Sequence, residues 1–176
     1  MSEIFKIPFK GLKEGRYSFE FKIDDEFFEE FEESEIKEGN FLAVVEMGKR
    51  ASHIDLLIKI SGAAMVSCDR CLEMFSYPIN CENRLIVKFE ENISNDDADV
   101  ICLSTDEHEL ELRQHLYEFI HLVLPIRRVH LPDKNGKTGC NPEMIKKLNE
   151  LLITEEKQNN TDSRWDKLKK LINDKN

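Results

Sequence analysis

The sequence predicts an α+β fold, with an antiparallel sheet of about five to six strands, one main covering helix and peripheral helices. Two observations lead to this prediction. Long segments between residues 40 and 90 alternate apolar and polar side chains with a period of two, which is typical of strands. Residues 109–124 instead repeat apolar side chains with a helical period.

The first forty residues predict two strands and a short acidic helix. Residues 4–9 and 17–23 alternate around a turn that contains Gly11. Residues 24–38 hold nine carboxylates and one lysine, yet four apolar side chains recur there at roughly helical spacing. These four are Phe27, Phe28, Phe31 and Ile36.

The middle of the chain predicts a hairpin and two further strands. Residues 40–66 contain two apolar segments separated by a turn, which indicates an antiparallel hairpin. Residues 74–90 form a third long strand, so the turn from Cys68 to Cys71 is expected to link paired strands. A short strand is expected over residues 100–103.

The last third is expected to be mainly helical. The helix over 109–124 ends at Pro125, which cannot continue it, and Asn141-Pro142 begins another helix that runs to about residue 152. We interpret residues 1–152 as a single domain and residues 153–162 as a polar linker. Residues 163–176 are expected to form a short, amphipathic, basic tail helix that needs a docking surface.

Composition and charge restrict the function classes. The chain has 176 residues and a formal charge of -10, so contact with nucleic acid must be local. No apolar segment approaches the ~20 residues that span a bilayer, and the first residues lack the apolar stretch of a secretory signal. We therefore expect a cytoplasmic protein without a membrane partner. Five cysteines in such a chain argue against a disulfide framework.

The strongest local signal is the pair Cys68 and Cys71, two thiols two residues apart in a predicted turn between strands. Such a knuckle presents two thiolates to one tetrahedral zinc ion, but it supplies only half of a site. The candidates for the other half are Cys140 with His130, or members of a second group. That group consists of Cys81, Cys102, His108, His115 and His121.

We favour Cys140 and His130, because an irregular loop wraps a metal more easily than residues fixed on a strand or helix. Softness and geometry then select zinc as the cofactor. The alternative is that Cys68 and Cys71 are ordinary turn thiols without a metal. Cys81 and Cys102 are interpreted as small core residues, as free cysteine commonly is.

A basic cluster in the loop over residues 126–140 is a candidate contact for RNA or for a protein partner. The alternative is a solubilising surface that balances the charge of residues 24–38, which we call the acidic segment. No interleaved aromatic residues offer a stacking platform for RNA bases. A second basic cluster lies in the predicted tail helix. The predicted contact residues are Arg127, Arg128, Lys134, Lys137, Arg164, Lys167 and Lys170.

Enzymatic activity has no positive support in the sequence. There is no phosphate-binding glycine loop, nucleophile elbow or HExxH pair. The crowded carboxylates of residues 24–38 predict a solvated face, because general acid catalysis needs a pocket that raises a pKa. We expect neither catalytic residues nor a small-molecule substrate.

In combination, these motifs resemble the YceD family. The resemblance rests on the segment 66–75 around the cysteine pair, a helix that ends at Leu124-Pro125, then His130 and Cys140, and finally Asp162-Ser163-Arg164-Trp165. The family is associated with accumulation of 23S ribosomal RNA, which implies a non-enzymatic ribosome biogenesis factor that binds ribosomal RNA or a large-subunit ribosomal protein. Cys140 stands alone, so the second Cys-x-x-Cys of some members is absent.

A second hypothesis assigns the interaction to the acidic segment. The segment would bind a basic ribosomal protein, with a structural zinc knuckle elsewhere and no RNA contact at all. Electrostatic complementarity suits that role in a chain of charge -10.

Overall fold

A five-stranded sheet with the order β2-β3-β4-β5-β6 forms the main layer of the computed structural model. The structure describes residues 5–89, 99–132, 134 and 136–152. The strands of this sheet are β2 (Gly15–Ile23), β3 (Gly39–Lys49), β4 (His53–Ser67), β5 (Met74–Phe89) and β6 (Val100–Leu103). The α+β prediction is confirmed.

The long strands pair as predicted. Strands β3 and β4 form the expected antiparallel hairpin, and β4 and β5 pair antiparallel from His53–Lys88 through Ser67–Met74. The cysteine turn therefore links paired strands, as expected. Strand β6 differs, because it runs parallel to β5 with Ile86 opposite Val100. The sheet is thus mixed, with one parallel pair at its edge.

A second sheet consists of two short strands, β1 (Lys6–Pro8) and β7 (Glu109–Glu111). The predicted start of the long helix at residue 109 is therefore wrong. Residues 109–111 alternate exposed, buried and exposed side chains, and Leu110 lies opposite Ile7, with both side chains buried. Residues 109–111 therefore pair with β1 as a strand and do not form the first turn of the predicted helix.

The described part of the chain contains three helices. They are α1 (Asp25–Glu29), α2 (Arg113–Val123) and α3 (Pro142–Leu151). Helix α2 packs against β5 and buries Leu116 and Ile120. In α3, the Asn141 side chain accepts a hydrogen bond from the Glu143 backbone N–H at 2.9 Å, as a helix N-cap does.

The acidic helix is much shorter than predicted. Only five residues are helical, and the chain then turns, with the Ser34 hydroxyl donating to the Ile36 carbonyl at 2.7 Å. Ser34 and Ile36 are both buried, and Phe27 and Phe28 fill the core beneath. Apolar burial therefore explains the spacing that suggested a longer helix.

One face of the main sheet holds most of the core. The strands β3 and β4 approach closely at a glycine of β4. Phe41 lies opposite Gly62, and a Cβ atom at Gly62 would meet the Asn40 carbonyl oxygen and lie 2.7 Å from the Phe41 Cα. Glycine is the residue that permits this approach.

The contacts divide the chain into two compact units, Met1–Cys140 and Asn141–Asn176. The predicted linker over residues 153–162 and tail helix over 163–176 lie outside the described residues. The domain boundary at residue 152 therefore stays a prediction. No helix in the described part of the chain is both long and apolar enough to cross a membrane.

Candidate metal centre

A tight turn places Cys68 and Cys71 between β4 and β5. The Cys68 N–H donates to the Glu73 carbonyl at 2.9 Å, and the Leu72 N–H donates to the Cys68 carbonyl at 2.8 Å. Leu72 adopts a positive φ of 62°, the left-handed conformation that closes the turn. Both cysteine side chains are buried and lie together under the turn.

The loop that follows α2 brings His130 and Cys140 to this turn. The Cys68 and Cys140 sulfur atoms are 3.8 Å apart, and the Cys71 sulfur lies 3.5 Å from His130 Nδ1. One donor atom from each of the four residues lies within 4.8 Å of all the others. The structure thus brings together the four residues that the sequence predicts as ligands.

The separations of the donor atoms fit tetrahedral coordination. With zinc–sulfur bonds of about 2.3 Å and zinc–nitrogen bonds of about 2.0 Å, a tetrahedron places two sulfurs about 3.8 Å apart and sulfur and nitrogen about 3.5 Å apart. The observed Cys68–Cys140 and Cys71–His130 distances are 3.8 Å and 3.5 Å. Three thiols and one imidazole are also a set of donors that zinc uses in structural sites.

The cluster includes one readily ionised thiol. Burial raises the pKa of the Cys68 thiol, but hydrogen bonds from the backbone N–H groups of Arg70, Cys71 and His130 outweigh burial and lower the pKa to about 6. Burial raises the pKa of Cys140, and the neighbouring Cys68 and Cys71 raise it further. Negative charge therefore concentrates where a cation would bind. Without a cation, an ionised thiol makes ionisation of the neighbouring thiols less favourable.

Hydrogen bonds hold the loop against the turn independently of the donors. The Asp69 N–H donates to the Arg128 carbonyl at 2.7 Å, and the Arg128 N–H donates to an Asp69 carboxylate oxygen at 2.6 Å. The His130 ring also lies 4.5 Å from the Phe75 ring, centroid to centroid. These contacts place the imidazole beside the cysteine turn.

Arg128 connects this loop to the acidic segment. Its guanidinium forms a two-pronged ion pair with the Glu35 carboxylate, one arm of which measures 2.8 Å. Its side chain is only 18% exposed. Nothing in the sequence pattern pairs these two residues, which lie 93 positions apart.

The other predicted contact residues are placed differently. Arg127, Lys134 and Lys137 are exposed on the same loop, whereas Arg128 is half-buried and engaged by Glu35. The predicted contacts in the tail lie outside the described residues. These are Arg164, Lys167 and Lys170.

The remaining cysteines and histidines lie apart from the donor cluster, within the part of the chain that the structure describes. Cys81 and Cys102, interpreted as core residues, are half-buried. His115 and His121 do not share a ligand set, and His121 Nδ1 lies 2.9 Å from the Tyr117 carbonyl oxygen, within hydrogen-bonding distance.

The acidic segment is partly engaged within the fold. All nine carboxylate residues between 24 and 38 are exposed, but three make specific contacts. Asp25 accepts from the Gly39 N–H at 2.8 Å, and Glu30 lies 2.7 Å from Arg113. Glu35 holds Arg128.

Glu35→Gln is expected to lower stability modestly and to change its pH dependence. A hydrogen bond from Arg128 lowers the pKa of Glu35 below its ordinary value of 4.5. The stabilisation is therefore present above pH 4.5 and is lost as the pH falls through the lowered pKa. We expect a loss of roughly 0.5–1 kcal/mol at pH 7, because Glu35 is exposed, and a smaller loss near pH 2.

Urea unfolding at both pH values measures this difference. Glu33→Gln, a neighbouring exposed carboxylate, is the matched control and should change neither value. An equal loss for Glu35→Gln at both pH values would show that the ion pair is not the cause.

Together, the fold and the site define an α+β protein with a buried cluster of three cysteines and one histidine suited to a metal ion. The family model described as large ribosomal RNA subunit accumulation protein YceD matches residues 56–172, more than half of the chain. The chain belongs to the YceD family. No curated protein and no solved structure matches it.

Proposed function

We propose that this chain is a non-enzymatic assembly factor of the large ribosomal subunit, which supports 23S ribosomal RNA accumulation by binding ribosomal RNA in the cytoplasm. The family relationship supports a role in accumulation of that RNA. The observation that carries the RNA contact is the position of Arg127 and Lys134, exposed on a loop that His130 and Cys140 anchor to the sheet. Positive charge on an anchored loop suits phosphate binding.

The proposal includes one zinc ion with a structural role. Cys68, Cys71, His130 and Cys140 supply four protein donors, which fill a tetrahedral shell and leave no position for water or substrate. Catalytic zinc sites keep one such position open. The donor set therefore supports a non-catalytic centre that orders the basic loop.

The charge reversal Arg127→Glu with Lys134→Glu tests the RNA contact. We expect the affinity for a 23S ribosomal RNA transcript to fall at least about tenfold, because each reversal replaces a phosphate contact with repulsion. Filter binding at several salt concentrations measures this, and the salt dependence should weaken in the variant.

The matched control reverses Lys22 and Arg84, which are exposed on strands of the main sheet. It produces the same change in net charge and should bind RNA like the wild type. Equal losses in the two variants would indicate a general charge effect and contradict the proposed contact. Absence of the wild-type protein from every precursor particle of the large subunit would overturn the assembly role.

The exposed carboxylates of residues 24–38 favour a second candidate function, the binding of a basic ribosomal protein. Glu32 and Glu33 are both exposed. If this function is correct, Glu32→Lys with Glu33→Lys abolishes association with RNA-free large-subunit proteins, and the reversal at Arg127 and Lys134 leaves that association unchanged.

A further inference from the structure

Large aliphatic side chains are exposed around the metal centre. Leu72, Met74, Ile126 and Leu131 are each more than half exposed, and Ile126 is fully exposed. Leu72 follows the ligand Cys71, and Leu131 follows the ligand His130. We call these four residues the apolar rim. A cluster of exposed apolar side chains marks an interaction surface more often than isolated ones do.

The turn and the loop that carry the rim are held together. The two hydrogen bonds between Asp69 and Arg128 join them, and Cys71 and His130 contact each other across the same junction. Residues that flank these contacts must therefore lie on neighbouring parts of one surface. The contacts that join the turn to the loop at the metal centre therefore also bring the rim residues near one another.

The backbone conformation of Leu72 is unfavourable for leucine. A residue with a Cβ atom loses roughly 1–2 kcal/mol in the left-handed conformation, whereas glycine adopts it freely. Leu72 has a φ of 62° and a side chain that is 69% exposed, so burial in the fold does little to offset this cost. Strain of this kind at an exposed position points to a role outside the fold.

The charge around the rim identifies its occupant. Arg127 and Lys134 are exposed on the loop that carries Ile126 and Leu131, and Arg70 lies within the turn. These three basic residues outnumber the exposed carboxylate of Glu73, which lies between Leu72 and Met74, although the whole chain carries a charge of -10. Positive charge in this place complements phosphate groups. Resting on the proposed function, we infer that the rim contacts the base faces of unpaired RNA while its basic neighbours contact the phosphates.

Unpaired RNA is the form that suits aliphatic side chains. An A-form duplex presents phosphates, 2′-hydroxyl groups and a shallow minor groove, and its base faces are stacked out of reach. Unpaired nucleotides expose those faces without that obstacle, whereas the leucine, isoleucine and methionine side chains that minor-groove proteins insert into a duplex must first unstack a base step at a cost in free energy. The rim therefore selects loops and single strands over duplex.

Leu72→Gly separates this role from folding. The substitution removes the backbone strain, so the thermal midpoint should be unchanged or higher. The bound 23S ribosomal RNA transcript is competed with polyuridylate, which is unpaired, and with a duplex of polyadenylate and polyuridylate. We expect the wild type to prefer the unpaired competitor about tenfold, and Leu72→Gly to lose that preference while retaining its duplex affinity.

Ile126→Ala tests the rim from the other segment and should also reduce the preference. Leu42→Ala, on strand β3, is the matched control and should retain it. Full retention of the preference in both rim variants overturns the inference, yet the proposed function stands if reversal at Arg127 and Lys134 still weakens binding to both competitors. If the rim variants lost only their association with RNA-free large-subunit proteins and kept the RNA preference, the rim would be assigned to a protein partner and the inference would be overturned. No RNA binding by the wild type would overturn both proposals.

Discussion

Cys68→Ser is expected to remove the bound metal and to cause a large loss of stability. Elemental analysis of wild-type protein, purified without chelator, should give close to one zinc per chain, and the variant should give close to none. Serine is a poor zinc ligand, and the three remaining donors, of which Cys71 and Cys140 are buried, are left without a cation. We expect the free energy of unfolding to fall by roughly 3–5 kcal/mol, since loss of a structural metal is among the largest single-site effects.

Cys140→Ser should give the same result from the opposite segment of the site. Cys81→Ser is the matched control, because Cys81 lies on β5 outside the donor cluster. Its zinc content should equal that of the wild type. A metal-free wild-type protein that is as stable as the metal-loaded form would contradict the structural role of zinc.

Gly62→Ala is expected to destabilise the sheet by at least about 2 kcal/mol, in the upper range for an overpacked core. The added methyl group would meet backbone atoms, the Asn40 carbonyl oxygen and the Phe41 Cα, which cannot rotate away as a side chain can. Strands β3 and β4 would have to separate where the Phe41 side chain is buried. Denaturant unfolding measures the loss.

Gly48→Ala provides the control. Gly48 also lies in β3, but its nearest neighbour for an added methyl group is 3.8 Å away, an ordinary contact. Its effect should be well below that of Gly62→Ala. Similar losses at the two positions would show that the contact of the added methyl group with backbone atoms at Gly62 is not responsible.

The sequence predicted the long strands well, because their alternation is a local signal. The hairpin of β3 and β4, strand β5 and the turn at Cys68 all follow from patterns within a few residues. The error at residues 109–111 has a non-local cause, the pairing of Leu110 with Ile7, a hundred residues earlier in the chain. Short apolar segments fit a strand or a helix until the partner is known.

Some features of the candidate site could also be predicted from the sequence, and others could not. Residue chemistry and loop context were sufficient to choose Cys140 and His130 as partners of the cysteine pair. The ion pair between Arg128 and Glu35 could not be foreseen, since Arg128 resembled its exposed neighbour Arg127 in the sequence. The left-handed backbone at Leu72 was equally hidden, because leucine gives no signal for that conformation.

The spacing of the ligands along the chain has a consequence for folding order. Cys68 and Cys140 are 72 positions apart, and β5, β6, β7 and α2 lie between them. In an unfolded chain, Cys68 and Cys71 are neighbours, but bringing in Cys140 requires closure of a long loop at an entropic cost. A metal ion held by all four residues would therefore reach its full affinity only after the intervening strands and helix have assembled. The ion should leave the folding rate nearly unchanged and slow unfolding, so that metal capture marks chains that have completed their tertiary structure.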